Sequence, residues 1–167
     1  MKLILWFISL IALTALQGSV LNPIVVKGIR PDCVLIAVYF FGAGYGDIKG
    51  GLLGAVIGFI MDVISAGPVY INIFTKFFAG YLSGIIDRGV QNPGFALHSG
   101  LIFMLSLIQS TGILIAYVFL GTVQFPDDLI YVAIPQAVLD GLFGGLVYLL
   151  VFRRKRDTVS RWESVLK

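Results

Sequence analysis

The sequence predicts an all-α fold, a polytopic membrane protein with six transmembrane helices. The first observation is composition: 58% of the 167 residues are hydrophobic and 13% are charged, with a mean hydropathy of +0.96. A soluble domain of this size cannot bury that much apolar surface in one core. The second observation is the length of the apolar runs, which far exceeds that of barrel strands. Helices satisfy their own backbone hydrogen bonds in lipid, so the runs indicate helices.

The apolar runs define one transmembrane domain, residues 1–152, and a basic tail, residues 153–167. A helix needs about 17–25 apolar residues to cross a bilayer. Runs of this kind lie near residues 3–26, 32–46, 50–66, 69–86, 95–120 and 129–152. The second run is short, which suits a helix with little tilt or one in a thinned or protein-lined region. Charged residues, glycine and proline mark the breaks, at residues 27–31, 47–49, 67–68, 87–94 and 124–128.

The first run follows Met1-Lys2 and resembles a secretory signal peptide. However, Ala15-Leu16-Gln17-Gly18 is a poor cleavage site, and the apolar character continues to Val26. We therefore expect this run to remain as the first span.

The basic residues predict that both termini lie in the cytoplasm, because Lys and Arg are enriched on the inner side of a membrane. With six spans, Lys27 and Arg30 fall outside and Lys76 falls within the membrane. The inner side receives Lys2, Lys49, Arg88, Arg153, Arg154, Lys155, Arg156, Arg161 and Lys167. A basic cluster directly after an apolar span is typical of a topology signal, so we expect no binding to nucleic acid.

The third run places small residues and one carboxylate on the same helical face. This face consists of Gly51, Gly54, Gly58, Asp62 and Ser65. Glycines at this spacing allow a neighbouring helix to approach closely. Since a carboxylate in lipid is costly, we expect Asp62 to point into the helix bundle.

The fourth run carries a matching face with Asn72 and Lys76, together with the helix-packing glycines Gly80 and Gly84. The short Gly67-Pro68 turn predicts that the third and fourth spans pack antiparallel. Counted from this turn, Asp62 and Lys76 differ in height by roughly 4–5 Å, at about 1.5 Å per residue. We therefore expect an ion pair between Asp62 and Lys76.

Asp140 in the sixth run is a competing partner for Lys76, on a stripe with Gln136 and Gly144. A network of both aspartates with Lys76, or protonation of one aspartate, is a further alternative. Together with Asn72, these residues form the predicted intramembrane polar network. Such a network either locks helix packing or relays a proton or a substrate.

The sequence contains no pattern that indicates catalysis, a cofactor or a metal site. It has no Ser/His/Asp set, metal-ligand spacing or phosphate-binding loop, so we expect a protein that is not an enzyme. The single cysteine, Cys33, excludes an internal disulfide. We interpret the lone His98 as an interfacial hydrogen-bonding residue. The polar residues that we expect to join helices in the fifth span are Ser99, Ser106, Gln109 and Ser110.

Residues 30–88 resemble a known family, the rod shape-determining protein MreD. The residues that carry this resemblance are Arg30-Pro31-Asp32, Gly50-Gly51-Leu52-Leu53-Gly54, Gly58-Phe59-Ile60-Met61-Asp62, Gly67-Pro68, Asn72, Lys76 and Gly80-Tyr81-Leu82-Ser83-Gly84. The resemblance implies a non-enzymatic inner-membrane component of the bacterial cell-elongation machinery. It further implies that the protein helps to couple peptidoglycan synthesis to the MreB cytoskeleton and so regulates cell shape.

The partners implied by the resemblance are MreC, bound directly, RodA with its class B penicillin-binding transpeptidase, and MreB through the complex. Membrane lipids surround the spans. The implied fold is similar to the six-helix substrate-binding subunits of energy-coupling-factor transporters.

That similarity of fold supplies the main alternative, a small-molecule (vitamin-like) substrate-binding subunit of a membrane transporter. Such a subunit needs an outer pocket lined by several polar and aromatic residues. Here the outer connections are short and the polar residues are dispersed along the spans. A third class, a proton-coupled carrier, needs a stronger relay than Asp62, Lys76 and Asp140 provide. The shape-determining interpretation is therefore the preferred expectation.

Overall fold

The computed structural model describes residues 12, 29, 31–65, 70–90, 94–119, 127 and 129–153. Apart from residue 12, the predicted first span lies outside the described residues, as does the tail beyond residue 153. The regular elements of the described part are all helical. They are α1 (Cys33–Tyr45), α2 (Asp47–Ser65), α3 (Ile71–Gly89), α4 (Phe95–Phe119) and α5 (Ile134–Val147), the last flanked by the π-helical segments Leu129–Ala133 and Tyr148–Arg153.

Helix α1 is central among the described helices and is buried on nearly all sides. Its side chains Val34, Leu35, Val38, Tyr39 and Phe41 are inaccessible to solvent. The helix contacts α2, α3, α4 and α5. A helix that is apolar around its whole circumference is stable only when neighbours or lipid surround it. Helix α1 therefore forms the axis about which the other described helices pack.

The connection between α1 and α2 is a single residue, Gly46. Its φ of 98° lies in the left-handed region, which glycine adopts without steric cost. The chain therefore reverses without a loop, and α2 begins immediately at Asp47. The predicted break at residues 47–49 is thus replaced by the first turn of α2, in which the Asp47 carboxylate accepts a hydrogen bond from the Ile48 amide at 2.8 Å.

Helices α2 and α3 form an antiparallel pair with the most extensive packing among the described elements. A Cβ atom built on Gly54 would overlap the backbone carbonyl oxygen of Lys76, and one on Gly58 would overlap that of Asn72. The two backbones are therefore in direct contact. The opposite faces of this pair expose apolar side chains, including Phe59, as expected for surfaces that face lipid.

Helices α4 and α5 form a second antiparallel pair. Two described segments, Phe95–Phe119 and Leu129–Leu150, are long and apolar enough to cross a membrane. Pro135 lies at the start of α5. Because proline lacks an amide hydrogen and disrupts the preceding turn, it accounts for the π-helical segment before α5.

The contacts between helices define two ends of the bundle. At one end, Asp32 precedes α1, and this end also contains the start of α3 and the end of α2. We call it the Asp32 end. At the opposite end, which we call the Arg88 end, Asp47 at the start of α2 forms an ion pair with Arg88 of α3. Helix α4 begins near the Arg88 end, since His98 contacts Tyr148 beyond α5, and α4 runs toward the Asp32 end.

Candidate functional site

A cluster of polar side chains, all buried except the partly buried Asn72, lies between α1, α3, α4 and α5, toward the Asp32 end. Its members carry carboxylate, amide, hydroxyl and ammonium groups that hydrogen-bond to one another. We call the following seven residues the polar cluster: Asp32, Asn72, Thr75, Lys76, Ser106, Gln109 and Asp140.

Lys76 is the cation of the polar cluster and is completely buried. Its Nζ atom lies 3.0 Å from Asp32 Oδ2. The same ammonium group donates to Asn72 Oδ1 at 2.9 Å and to Gln109 Oε1 at 3.1 Å. An ammonium group has three donors, so every donor of Lys76 has an acceptor. This saturation explains how a lysine is accommodated in an apolar bundle.

Asp32 joins four helices through its carboxylate and its backbone. Its Oδ1 atom accepts from the Leu35 amide at 2.9 Å, which caps the first turn of α1. Its Oδ2 atom accepts from Lys76 of α3 and, at 2.8 Å, from Gln109 Nε2 of α4. Its backbone amide donates to Asp140 Oδ1 of α5 at 2.7 Å.

Asp140 is also completely buried. Besides the Asp32 amide, its carboxyl group contacts the hydroxyl of Ser106 on α4 at 2.5 Å. Among the residues that the structure describes, no cation contacts this carboxyl group, because the Lys76 donors are directed to other acceptors. The expected direct partnership of Asp140 with Lys76 is therefore replaced by a connection through Asp32.

The predicted ion pair between Asp62 and Lys76 is not formed. Instead, Asp62 caps α3: Oδ1 accepts from Asn72 Nδ2 at 2.8 Å and Oδ2 accepts from the Ile73 amide at 3.1 Å. The first amides of a helix lack intrahelical acceptors and compete for a nearby carboxylate. Asn72 then links the two charges, since its amide nitrogen donates to Asp62 and its oxygen accepts from Lys76.

The predicted packing glycines lie along the contact between α2 and α3. Gly54 and Gly58 face the α3 backbone, as described above. Gly51 lies against the Phe77 ring, where a Cβ atom would come within 3.0 Å. Gly80 faces the backbone of Gly50, and Gly84 faces that of Asp47. The five positions therefore line the same interface, along most of its length.

The polar residues of the fifth predicted span have different roles in α4. Ser106 and Gln109 join helices within the polar cluster, whereas the buried hydroxyls of Ser99 and Ser110 have no hydrogen-bond partner among the described residues. His98 is buried, and its Nδ1 lies 3.0 Å from the hydroxyl of Tyr39. It therefore joins α4 to α1 inside the bundle, away from the interfacial position we expected. Cys33 is a free thiol at the start of α1.

The charged residues at the Arg88 end form a separate and more exposed site. Arg88 pairs with Asp47 and also donates from Nε to the Gly84 carbonyl at 3.3 Å. The hydrogen bond from Arg88 lowers the pKa of the Asp47 carboxyl below its usual value. This pair holds the start of α2 against the end of α3, but its exposure makes it weak.

Four members of the polar cluster were not among the predicted network residues: Ser106 and Gln109, which were expected only to join helices, and Asp32 and Thr75. Thr75 donates to the Ile71 carbonyl at 2.8 Å, and its hydroxyl lies 3.0 Å from Gln109 Oε1. A signal for Asp32 does exist in the sequence, because an aspartate directly before an apolar run is a typical N-cap. That signal predicts the bond to Leu35 but does not identify the partners in α3, α4 and α5.

Comparison with known proteins assigns the chain to a transporter family. The model of the ECF-type riboflavin transporter, S component, matches residues 7–155. No curated protein and no solved structure matches the chain. The matching family consists of integral inner-membrane transporter subunits, which agrees with the apolar helices and with the expectation that the protein is not an enzyme.

This match overturns the resemblance to the MreD family. The role in cell elongation, peptidoglycan synthesis and cell shape was therefore wrong, as were the expected partners MreC, RodA, its transpeptidase and MreB. The residues that carried the resemblance are mainly glycines and apolar residues, with the two aspartates Asp32 and Asp62. Closely packed membrane helices in general share such patterns, so they do not distinguish one family from another.

Proposed function

The chain belongs to the family of ECF-type riboflavin transporter S components, and from this membership we propose that it is the substrate-binding subunit of a vitamin transporter. The observation that carries the proposal is the extent of the match, residues 7–155 of a chain of 167. The substrate that we propose is riboflavin, after the name of the family. This is the class of function that the sequence offered as the alternative to cell-shape control.

The partner proposed for this subunit is an energising module made of an ATPase component and a membrane-embedded T component. A binding subunit of this kind has no energy source of its own, which is consistent with the absence of a phosphate-binding loop from the sequence. The module would contact the subunit within the membrane or at its cytoplasmic side.

We propose a six-span arrangement in which the predicted span 3–26 completes the bundle and both termini are cytoplasmic. The basic residues support this orientation, because most of them fall on one side. In this orientation the Asp32 end faces outward. The polar cluster then lies in the outer half of the membrane, on the side from which a nutrient arrives.

Within this proposal, the polar cluster holds the helices around the substrate site. The three donors of Lys76 are already bonded to Asp32, Asn72 and Gln109. A substrate would have to displace one of these acceptors to contact the ammonium group directly. The polar network of Asp62, Asn72, Lys76 and Asp140 and the glycines between α2 and α3 therefore serve to pre-organise the bundle, which reduces the ordering cost of binding.

The direct test is titration of the purified protein in detergent with riboflavin, whose fluorescence is expected to fall as its ring system enters a protein site. Thiamin serves as the control ligand and is expected neither to bind nor to displace riboflavin. Binding of thiamin in place of riboflavin would still support a vitamin-binding subunit but would contradict riboflavin as its substrate. No binding of either, together with no ATPase component recovered on mild purification, would contradict the proposal as a whole.

A further inference from the structure

The charges of the polar cluster do not balance among the described residues. Three of its members are ionisable: Asp32 and Asp140 carry negative charge when ionised, and Lys76 carries positive charge. All three are buried. If both aspartates were ionised, the cluster would hold one negative charge without compensation, in a medium where an isolated buried charge is very costly.

The hydrogen bonds show which aspartate is compensated. Asp32 Oδ2 contacts the Lys76 ammonium group at 3.0 Å and also accepts from Gln109, while Oδ1 accepts from the Leu35 amide. These donors favour the ionised form of Asp32. Among the described residues, the Asp140 carboxyl group has two hydrogen-bond contacts, the Asp32 amide and the Ser106 hydroxyl, and both groups are neutral.

The Ser106 hydroxyl, which contacts Asp140 Oδ2, is compatible with either protonation state of the Asp140 carboxyl group. A serine hydroxyl can donate to a carboxylate or accept from a carboxylic acid. Ser106 Oγ lies within hydrogen-bond distance of Asp140 Oδ2, at 2.5 Å, so this contact can persist in both states. Asp140 Oδ1 accepts from the Asp32 amide in either state.

From this charge balance and geometry we propose that Asp140 is a proton-binding site, occupied in the helix arrangement of this structure. The bound proton makes the polar cluster neutral. It also removes the repulsion between the two carboxyl groups, which are joined through the Asp32 backbone amide. Loss of the proton would weaken the attachment of α5 to the start of α1.

A metal cation fits this position less well than a proton. Hard cations such as Ca²⁺ require six or more oxygen ligands, and within the described part of the chain the contacts of Asp140 provide the carboxyl oxygens and one hydroxyl. The Asp32 amide, moreover, directs its hydrogen toward Oδ1. An amide hydrogen at this position repels a cation.

The groups that act on Asp140 come from every helix around it. They are Asp32 and the neighbouring thiol Cys33 at the start of α1, Lys76 from α3 and Ser106 from α4. Tyr148 lies about two helical turns beyond Asp140. Its ring contacts that of His98 near the start of α4, with ring centres 4.5 Å apart. The proposal is independent of the identity of the transported substrate.

The test is infrared spectroscopy of the purified protein at pH 7, which detects the C=O stretching band of a protonated carboxyl group. We expect this band in the wild type, its loss in Asp140→Asn, and a shift in its frequency in Ser106→Ala, which removes the hydrogen-bond partner. Asp47→Asn, which removes a carboxylate paired with Arg88 at the other end of the bundle, is the matched control and is expected to retain the band. A wild type without the band, or a band unaffected by Asp140→Asn, would overturn the proposal.

A second measurement keeps the test valid if a variant folds poorly. An aspartate in an unfolded chain is ionised at pH 7, because its ordinary pKa is about 3.9. Unfolding of the wild type in weakly buffered detergent should therefore release about one proton more than unfolding of Asp140→Asn. Equal release would contradict the proposal.

Two other sources of positive charge near Asp140, a metal cation and Arg30, are also tested. Stability that rises with sodium concentration in the wild type, but not in Asp140→Asn, would indicate a bound metal cation and overturn the proposal of a bound proton. Arg30 lies outside the described residues. If the band is absent from the wild type and appears in Arg30→Gln, the carboxylate is ionised and paired with the arginine, which also overturns the proposal.

Discussion

At the scale of single residues, the burial of Lys76 defines the most sensitive position in the described structure. Its three hydrogen bonds and its ion pair with Asp32 compensate for the loss of water around the ammonium group. Removing one charge of a buried pair leaves the other without compensation, whereas removing both is often nearly neutral.

We therefore predict that Lys76→Met and Asp32→Asn each destabilise the protein by up to about 3–5 kcal/mol, the range for breaking buried pairs in soluble proteins. The double variant should recover much of the loss. Thermal unfolding in detergent measures all three variants. Lys49→Met, which removes an exposed lysine, is the control and should unfold like the wild type. Losses that simply add in the double variant would show that Asp32 and Lys76 are not energetically coupled.

The same residues show why the site was only partly predictable. Asp62, Asn72, Lys76 and Asp140 were recognisable because polar side chains in apolar runs are rare and costly. Their pairing depends on which helices meet at which height. The actual partner of Lys76, Asp32, lies 44 residues away in the chain, where it was interpreted only as the first residue of the second predicted span.

At the scale of elements, the contact between α2 and α3 depends on the absence of side chains at the glycines. Helices in lipid lack a hydrophobic driving force for association and rely on close packing and hydrogen bonds. The spacing of Gly51, Gly54 and Gly58 was enough to predict which face of the helix is used, because the helical period alone determines it. The end of α1 was less predictable, since Gly46 replaces a loop by one residue with positive φ.

We predict that Gly54→Ala destabilises the protein by about 1–3 kcal/mol, the range for overpacking a well-packed contact. The new Cβ atom would overlap the Lys76 carbonyl oxygen, which belongs to the backbone and moves only with the helix. Unfolding in detergent provides the measurement. Gly100→Ala is the matched control, because a Cβ atom there has no neighbour within 4 Å. It should be neutral or slightly stabilising, and an equal loss in both variants would contradict the prediction.

At the scale of the whole molecule, the two ends of the bundle differ in charge and in burial. The Asp32 end contains the buried polar cluster, and the Arg88 end carries the exposed pair of Asp47 and Arg88. The all-helical class was predictable from composition, because long apolar runs in a membrane satisfy their backbone hydrogen bonds by forming helices. The family did not follow, because the motifs that suggested it reflect helix packing and are shared across functions.

We predict that reporters fused at Lys49 and after Lys167 report the cytoplasm and that one at Asp127 reports the outer side. The reason is the excess of basic residues on the predicted inner side. Alkaline phosphatase and a fluorescent protein, active on opposite sides of the membrane, provide the measurement and control each other. An outer signal after Lys167 would contradict the six-span arrangement with cytoplasmic termini, and an outer signal at Lys49 would place the Asp32 end toward the cytoplasm.

The connection between Asp32 and Asp140 also has a consequence for how the protein is made. The two residues are 108 positions apart, so at about 5–20 residues per second a ribosome needs roughly 5–20 s to synthesise the chain between them. During this interval α1 and α3 can already be inserted, but the amide of Asp32 and the hydroxyl of Ser106 have no partner from α5. A nascent chain that stops before Asp140 therefore retains unsatisfied polar groups within the bilayer, which membrane proteases and insertion factors can recognise. The polar cluster is therefore complete only after α5 has been synthesised and inserted.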